Sequence, residues 1–210
     1  MLRIGGMTDC LMPLEAEKGV TLATLKMMFD RGIHALIVTK SDLIATDRYM
    51  DALDPDLAHV QISVTSTSDD ANPLGEKAAK PSDRIRAAET LSKAGFDVAV
   101  RLSPFIPEFM DFDRLNAIEC DKAVVEFLRV NTWVRRWLKI DYRPYTLKRG
   151  GYRHLPLKKK VEILNRLDFP RLSVCEDVPS HYRYWRQAYN ANKDDCCDLR
   201  IRNAAIRKTA

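Results

Sequence analysis

The sequence predicts an α/β fold of about six β/α units around a parallel sheet, closed by a C-terminal helical segment. Short runs that are apolar almost throughout alternate with amphipathic stretches of helical period, which is typical of strands buried on both faces. Polar residues directly follow several of these runs. Right-handed crossovers then give either a partial (β/α) barrel or an open doubly wound sheet, and the pattern fits both.

Composition bounds the class of protein. With 210 residues, of which 46% are hydrophobic and 30% charged, the chain resembles a globular domain with one ordinary core. No apolar run approaches the ~18 residues that span a bilayer, and the N-terminus lacks the pattern of a signal peptide. The odd number of cysteines, five, fits reduced thiols better than a disulfide framework. We therefore expect a cytoplasmic protein that does not associate with a membrane.

The first predicted unit shows the pattern most simply. Residues 2–8 are a short apolar run interrupted by Gly5 and Gly6, which predicts a strand and a loop. Over residues 20–31 the apolar positions have helical spacing, and the stretch ends at Gly32, a helix stop signal. A strand, a loop and a helix therefore follow one another.

The same unit recurs along the chain. The further strands predicted from apolar runs are 34–39, 59–65, 97–102, 123–130 and 171–174. The helices predicted between them are 41–53, 82–94, a weaker one over 112–120, and 157–167. An aromatic helix is expected after Pro179, so we divide the chain into a barrel over 1–178 and a C-terminal aromatic helical tail over 179–210 that packs on it.

Four sequence blocks, each at the end of an apolar run, carry a resemblance to a known family. They are Gly5-Gly6-Met7-Thr8-Asp9 with Pro13 and Glu15, Val38-Thr39-Lys40-Ser41, the stretch from Val60 to Thr65, and the stretch from Val98 to Pro107. In order and spacing they resemble successive barrel strands of the spore photoproduct lyase-like branch of radical S-adenosylmethionine (SAM) proteins. The resemblance favours a partial barrel of the TIM type over a doubly wound sheet.

This resemblance also implies a chemistry. In the family a CxxxCxxC loop holds a 4Fe-4S cluster, which cleaves SAM reductively to a 5′-deoxyadenosyl radical that abstracts a substrate hydrogen. The cysteines of this chain do not have that spacing; they are Cys10, Cys120, Cys175, Cys196 and Cys197. The ligands of the cluster are therefore expected to be absent from this chain.

The resemblance assigns most SAM contacts to the ends of the first two strands. Lys40 matches the family lysine that contacts SAM, and Thr8 and Asp9 match the block beside its methionine end. Gly5 and Gly6 let the backbone approach a ligand closely, because neither carries a Cβ. The alternatives are a solvated lysine at a strand end and an ordinary glycine turn with an Asx-type cap.

Three further residues complete the predicted cofactor site. Ser63 and Thr65 share one face of their strand and could bond ribose or carboxylate groups, or be satisfied core hydroxyls. Arg101 could hold the SAM carboxylate in a bidentate fork, or pair with a strand neighbour. Glu76 and Arg84 match family positions but also an ordinary loop and first helical turn, so they stay outside the predicted site. No catalytic residue and no metal ligand is assigned.

The last three cysteines of the sequence could in principle form an accessory metal site. Adjacent Cys196 and Cys197 should serve one metal poorly, since neighbouring side chains diverge, although with Cys175 they could contribute to a site. Free cysteine also packs as a small hydrophobe. We interpret all three as packed thiols.

Basic charge is concentrated between Arg129 and Arg171. That segment holds thirteen Lys or Arg against three acidic residues, and its cations are interleaved with aromatics that include Trp133 and Trp137. Cations attract phosphates and aromatic faces stack bases, so the segment suits a nucleic-acid partner. The alternative is a helix that buries Trp133 and Trp137 in the core and leaves its charges in water.

The sequence thus predicts a fragment or split form of a radical SAM enzyme that acts on nucleic acid and is inactive alone. Three explanations of the missing cysteine loop stay open: a start codon assigned too late, a second chain that carries the motif, or loss of catalysis. In the last case the chain is a non-catalytic SAM- or nucleic-acid-binding barrel.

Overall fold

The computed structural model describes residues 1–70 and 73–199. Within them six parallel strands form one sheet: β1 (Leu2–Ile4), β2 (Ala35–Thr39), β3 (Ala58–Ser63), β4 (Asp97–Phe105), β5 (Lys122–Phe127) and β8 (Arg171–Val174). Two further strands, β6 (Leu147–Arg149) and β7 (Tyr152–His154), form an antiparallel hairpin. The helices are α1 (Pro13–Lys18), α2 (Val20–Phe29), α3 (Asp47–Met50), α4 (Pro81–Lys93), α5 (Phe112–Asn116), α6 (Thr132–Trp137), α7 (Leu157–Leu164) and α8 (Pro179–Ala188).

The order of the strands decides between the two predicted architectures. It is β1-β2-β3-β4-β5-β8, so each strand pairs with the next strand of the sheet along the chain, and every pairing is parallel. A doubly wound sheet would reverse its order at a switch point, whereas a barrel winds in one direction. The fold is therefore a partial (β/α) barrel of the TIM type, as predicted.

The hydrophobic core lies between the sheet and its helices. Alternate strand residues such as Ile37, Val60 and Val100 are fully buried and belong to the same cluster as Leu25 of α2 and Leu91 of α4. Side chains alternate along a strand, so the residues between them point to the opposite, inner face of the sheet. The helices thus cover only the outer face.

The inner face is lined by polar and charged side chains that pair with one another. The Lys122 ammonium lies 2.6 Å from Asp97, and the Asp97 carboxylate is 2.7 Å from His59. All three side chains are almost completely buried, with side-chain exposures of 3%, 6% and 1% for Lys122, Asp97 and His59. Buried charges are tolerated when they are paired in this way.

The segment after α8 covers this inner face. Lys122 donates to the Asp198 carbonyl at 2.9 Å, Arg171 pairs with the Asp198 carboxylate at 2.7 Å, and Leu199 packs against Leu36 and Val38. The turn into the segment is held by the Asn190 side chain, which accepts from Val174 N–H at 2.8 Å and donates to Val174 C=O at 3.1 Å. The Asn190 amide therefore satisfies the backbone N–H and C=O groups of Val174 at the free edge of β8.

β1 ends at Ile4, directly before the two glycines at which a loop was predicted, because Gly5 takes a positive φ of 81°. Two other predicted boundaries were wrong for identifiable reasons. The helix predicted over 41–53 is a 3-10 turn followed by α3, since Thr46 between them is extended. β4 runs on to Phe105 through a register shift that accommodates Pro104, which has no N–H to donate.

Other predictions differ only at their ends. The helices predicted over 112–120 and 157–167 end at Asn116 and Leu164, and the strand predicted over 123–130 ends at Phe127. Helix α1 and the β6–β7 hairpin were not predicted. Helix α8 begins at Pro179 as expected, while residues 200–210 of the predicted tail lie outside the described residues.

No helix within the described part of the chain combines the length and apolarity needed to cross a membrane.

Breaking the buried Lys122–Asp97 pair on one side should destabilise the fold strongly. Replacing Lys122 by Met removes the cation and leaves the Asp97 carboxylate in a buried setting, so the free energy of unfolding should fall by about 3–5 kcal/mol. Urea denaturation measures it. Lys93→Met, at an exposed ion pair with Glu119, is the control and should leave unfolding unchanged. Equal effects of the two variants would contradict the assigned role.

Candidate functional site

A cleft opens at the carboxyl ends of β1 and β2. Its volume is about 900 Å³, which falls within the range found for small-molecule binding sites. The polar side chains that line it include Thr8, Asp9, Lys40 and Glu76. Three residues of the predicted cofactor site thus meet here, together with one that was left out.

The Asp9 carboxylate fastens the loop after β1 to the end of β2. It accepts hydrogen bonds from the Thr39 hydroxyl at 2.8 Å, from Lys40 N–H at 2.6 Å and from Leu11 N–H at 2.9 Å. Carboxylate oxygens can accept more than one bond each, so Asp9 still presents acceptor capacity to the cleft. Its first function in the fold is to hold the cleft wall in place.

Gly5 allows the loop to pass close to β2. A Cβ on Gly5 would stand 2.0 Å from the Val38 carbonyl oxygen, and the φ of +81° is one that only glycine adopts readily. Gly5 therefore shapes the loop that carries Thr8 and Asp9, whereas a Cβ on Gly6 would meet only the flexible side chain of Arg3 at 3.3 Å.

Glu76 is the centre of the polar network on the other wall of the cleft. Its carboxylate lies 2.5 Å from the Lys40 ammonium, accepts from the Thr65 hydroxyl at 2.9 Å and pairs with Arg84 at 2.8 Å. Burial raises the pKa of Glu76, but the hydrogen bond and charge of Lys40 and the charge of Arg84 outweigh it, so the pKa lies below its ordinary value. The carboxyl is ionised at neutral pH.

Arg84 connects this network to β3. Its guanidinium donates to the Ser63 carbonyl at 3.2 Å, to the Thr65 hydroxyl at 3.3 Å and to the Ala79 carbonyl at 2.7 Å. Sequence reasoning left Glu76 and Arg84 out, because a loop acid and a helix-start arginine are ordinary features. The sequence feature that could have identified Glu76 and Arg84 as site residues is their match to the family positions.

Arg101 and Ser63 lie apart from the cleft. Arg101 pairs with Glu126 of β5 at 2.7 Å and donates to the Gln61 side chain at 2.9 Å, and Ser103 also donates to Glu126 at 2.9 Å. The strand-neighbour ion pair, which was one of the two alternatives for Arg101, is therefore the arrangement that the structure has. Neither Arg101 nor Ser63 lines the cleft with Lys40.

Three cysteines meet where β8 ends on the inner face. The Cys196 thiol donates to Cys175, with 3.4 Å between the sulfurs, and also lies beside Cys197. Because Cys196 is the donor to both, its own pKa rises, while the pKa of Cys175 falls and that of Cys197 falls to about 6. The adjacent Gln61 amide contributes to the low pKa of Cys197.

The basic, aromatic segment forms an exposed surface at the ends of β4 and β5. Trp133 and Trp137 are 59% and 77% exposed, their ring centroids are 6.4 Å apart, and Arg136 stacks over Trp133 at 5.1 Å. The alternative in which these tryptophans form a core stripe is therefore wrong. A cavity of about 270 Å³ separates α6 from the ends of β4 and β5.

The basic segment contains the run Lys158-Lys159-Lys160, and one of these lysines does not belong to this surface. Lys160 is 1% exposed and forms a salt bridge with the buried Glu176. Its helical position turns it inward, whereas Lys158 and Lys159 are exposed. The expectation that the whole basic segment faces a partner is wrong at Lys160.

Comparison with solved structures identifies the fold. A variant of spore photoproduct lyase aligns over 82% of this chain with a TM-score of 0.57 and 14% identity. The same enzyme complexed with dinucleoside spore photoproduct, and a double variant with bound AdoMet and that dinucleoside, each align over 87% with a TM-score of 0.55 and 13% identity. No protein-family model and no curated protein matches the sequence.

Because the sequence identities are low, these similarities show the fold alone. The chain spans 57–59% of the length of these structures, less than two thirds. The partial barrel predicted from the sequence blocks is thus similar in fold to spore photoproduct lyase.

The Glu76 network gives a pH-dependent contribution to stability. Because the pKa of Glu76 is lowered on folding, its contribution is complete above the unfolded pKa of about 4.3 and is lost as the pH falls through the folded value. Glu76→Gln leaves Arg84 buried without its carboxylate and should reduce the free energy of unfolding at neutral pH by about 3 kcal/mol.

Urea denaturation over a pH series checks this expectation. The difference between wild type and Glu76→Gln should shrink on acidification through the titration of Glu76. Glu119→Gln, at an exposed pair, should show a much smaller pH-dependent difference, because water screens that pair. A difference for Glu76→Gln that stays constant across the acidic range would contradict the role of its charge.

Proposed function

We propose that this chain binds SAM in the cleft at the ends of β1 and β2 and forms part of a radical SAM-type assembly that acts on nucleic acid. The observation that carries the proposal is the Lys40–Glu76 pair on the cleft wall, with Thr8 and Asp9 lining the same cleft. The similarity to a fold that holds AdoMet in one solved structure supports it.

The donor set suits the methionine end of SAM, which carries an ammonium and a carboxylate. Lys40, whose side chain is 33% exposed, offers a cation to the carboxylate, and Glu76 offers an acceptor to the ammonium. A zwitterion can insert between Lys40 and Glu76, because its carboxylate replaces Glu76 as the partner of Lys40 and its ammonium replaces Lys40 as the partner of Glu76. Thr8 adds a hydroxyl on the same cleft.

The residues around the cleft do not fit the 4Fe-4S cluster that the family uses. Such a cluster needs thiolates that converge on it. Near the cleft the sequence offers Cys10 alone, and burial raises the pKa of its thiol to about 12. We propose that a second chain carrying the cysteine motif completes the assembly.

The nucleic-acid part of the proposal rests on the exposed surface of α6 and the hairpin. Trp133 and Trp137 present aromatic faces to solvent beside Arg135, Arg136 and Lys139. This combination of stacking platforms and cations is typical of single-stranded nucleic-acid sites. The surface lies at the same carboxyl-end edge of the sheet as the cleft.

A second candidate function is a non-catalytic binding barrel. It is favoured by the segment from Asp195 to Leu199, which lies across the inner face where a barrel enzyme would keep space for substrate. In that case SAM and nucleic acid would still bind, but SAM would not be cleaved. Addition of reductant and a cluster-bearing partner chain, with detection of 5′-deoxyadenosine, distinguishes the two.

SAM binding should depend on Lys40 through the amino-acid part of the ligand. In titration calorimetry, Lys40→Met should weaken SAM binding by about 10-fold or more, since one charge-assisted contact is lost. Methylthioadenosine, which lacks the amino acid, should bind wild type and Lys40→Met equally.

Lys93→Met is the matched control, because Lys93 is exposed and remote from the cleft lining. Thermal unfolding verifies that Lys40→Met is folded. Absence of SAM binding to wild type, or an equal loss of methylthioadenosine affinity in the variant, would overturn the assignment of Lys40.

Nucleic-acid binding should separate into a charge part and a stacking part. The affinity for labelled single-stranded DNA is measured by anisotropy titration at several salt concentrations. In the double variant Arg135→Ala with Arg136→Ala, the negative slope of log affinity against log salt concentration should become shallower by about one to two. Trp133→Ala should lower affinity about 10-fold at constant slope, since stacking contributes roughly 1–3 kcal/mol per base.

The control for this experiment is a double variant that loses two positive charges on a different helix, α4. Arg86→Ala with Lys93→Ala removes two exposed cations from α4 and should leave the salt slope unchanged. No binding of DNA at low salt, or identical behaviour of the two double variants, would contradict a nucleic-acid surface at α6.

A further inference from the structure

Two adjacent cysteines converge with an aspartate beside the end of β8, and a third cysteine contacts one of them. The ligand atoms of Asp195, Cys196 and Cys197 all lie within 4.8 Å of one another. The sulfurs of Cys175 and Cys196 are 3.4 Å apart. The cluster combines the residue directly after β8 with three consecutive residues of the covering segment.

A tight turn makes this convergence possible. Asp195 accepts from the backbone N–H of Cys197 at 2.9 Å and of Leu199 at 3.2 Å, and Asp198 adopts a positive φ of 50°. The turn is anchored to the sheet where Asp198 meets Lys122 and Arg171. The sequence-based expectation that adjacent cysteine side chains diverge does not hold in this turn.

The spacing suits a tetrahedral metal ion. Thiolates at the usual Zn–S distance of about 2.3 Å place their sulfurs about 3.8 Å apart around one zinc ion. The sulfurs of Cys175 and Cys196 are 3.4 Å apart, and Cys196 also belongs to the group it forms with Asp195 and Cys197, so Cys196 links Cys175 to the other two ligands. Asp195 supplies a fourth ligand, because each carboxylate oxygen retains a lone pair beside its backbone hydrogen bond.

A buried donor beside the cysteines is a second, independent observation. Gln61 is 1% exposed, and its amide nitrogen has no hydrogen-bond partner among the described residues. The Arg101 guanidinium holds the amide oxygen at 2.9 Å, and the amide lies next to Cys197. An N–H group in this position is what metal-bound thiolates use as an outer partner, since it stabilises the charge on sulfur.

We propose that Cys175, Cys196, Cys197 and Asp195 form a binding site for one thiophilic divalent cation of the Zn²⁺ class. The ion would connect β8 to the segment that covers the inner face and would fix that segment in place. The proposal is independent of SAM binding, since the cysteines do not line the cleft of Lys40.

Cobalt provides the direct test, because its spectrum reports its ligands. Titration of the reduced, metal-free full chain with Co²⁺ should give one equivalent bound, with thiolate-to-cobalt charge transfer and the strong visible absorption of tetrahedral cobalt. Added Zn²⁺ should displace it. Cys196→Ser should weaken binding by about 100-fold or more, and Gln61→Leu by about 10-fold to 100-fold, as expected for a ligand and for its outer partner.

The chain contains matched cysteine controls. Cys120→Ser, at a buried cysteine of the core cluster, and Cys10→Ser should retain the cobalt spectrum. In wild type, Zn²⁺ should slow alkylation of Cys196 and Cys197 but not of Cys10, a measurement that does not depend on the folding of any variant. No stoichiometric cobalt complex, a spectrum unchanged in Cys196→Ser, or a Cys175–Cys196 disulfide in place of metal binding under reducing conditions would overturn the proposal.

Discussion

A parallel sheet whose helices all lie on one face must have its other face covered, and this constraint determines much of the structure. The winding order leaves the inner face without helices, and the chain lines that face with buried charges such as Asp97 and Lys122. Burial of charge is stable only with partners, so Asp198 and its neighbours return across the sheet to supply them. The C-terminal segment is thus part of the fold rather than an appendage.

The covered inner face leaves the carboxyl-end edge as the place for function. On one side of this edge, Asp9 and Glu76 hold the walls of the cleft that presents Lys40. On the other side, the ends of β4 and β5 support the exposed tryptophans of α6. The pairing of Arg101 with Glu126 lies between the two and orients Gln61 toward the cysteines. The edge therefore carries the two proposed ligand surfaces, while the proposed cysteine site lies on the inner face under the covering segment.

Local patterns predicted the elements better than their ends. Strands appear as apolar runs because both of their faces are buried, and Lys40 stands out because it closes such a run. The boundary of the helix predicted over 41–53 was wrong because a single extended residue, Thr46, interrupts it. Glu76 was left out because its partners Lys40, Thr65 and Arg84 come together only in the fold.

The sequence by itself determined the α/β class, the six strands of the barrel and the polar residues at their ends, because apolar period and residue type are local properties. Tertiary structure decided the partner of Arg101, the exposure of Trp133, the burial of Lys160 and the meeting of Cys175 with Cys196. Each of these depends on which distant segment packs against the residue. Such contacts are set by the balance of burial, charge pairing and chain geometry over the whole domain, which no local pattern records.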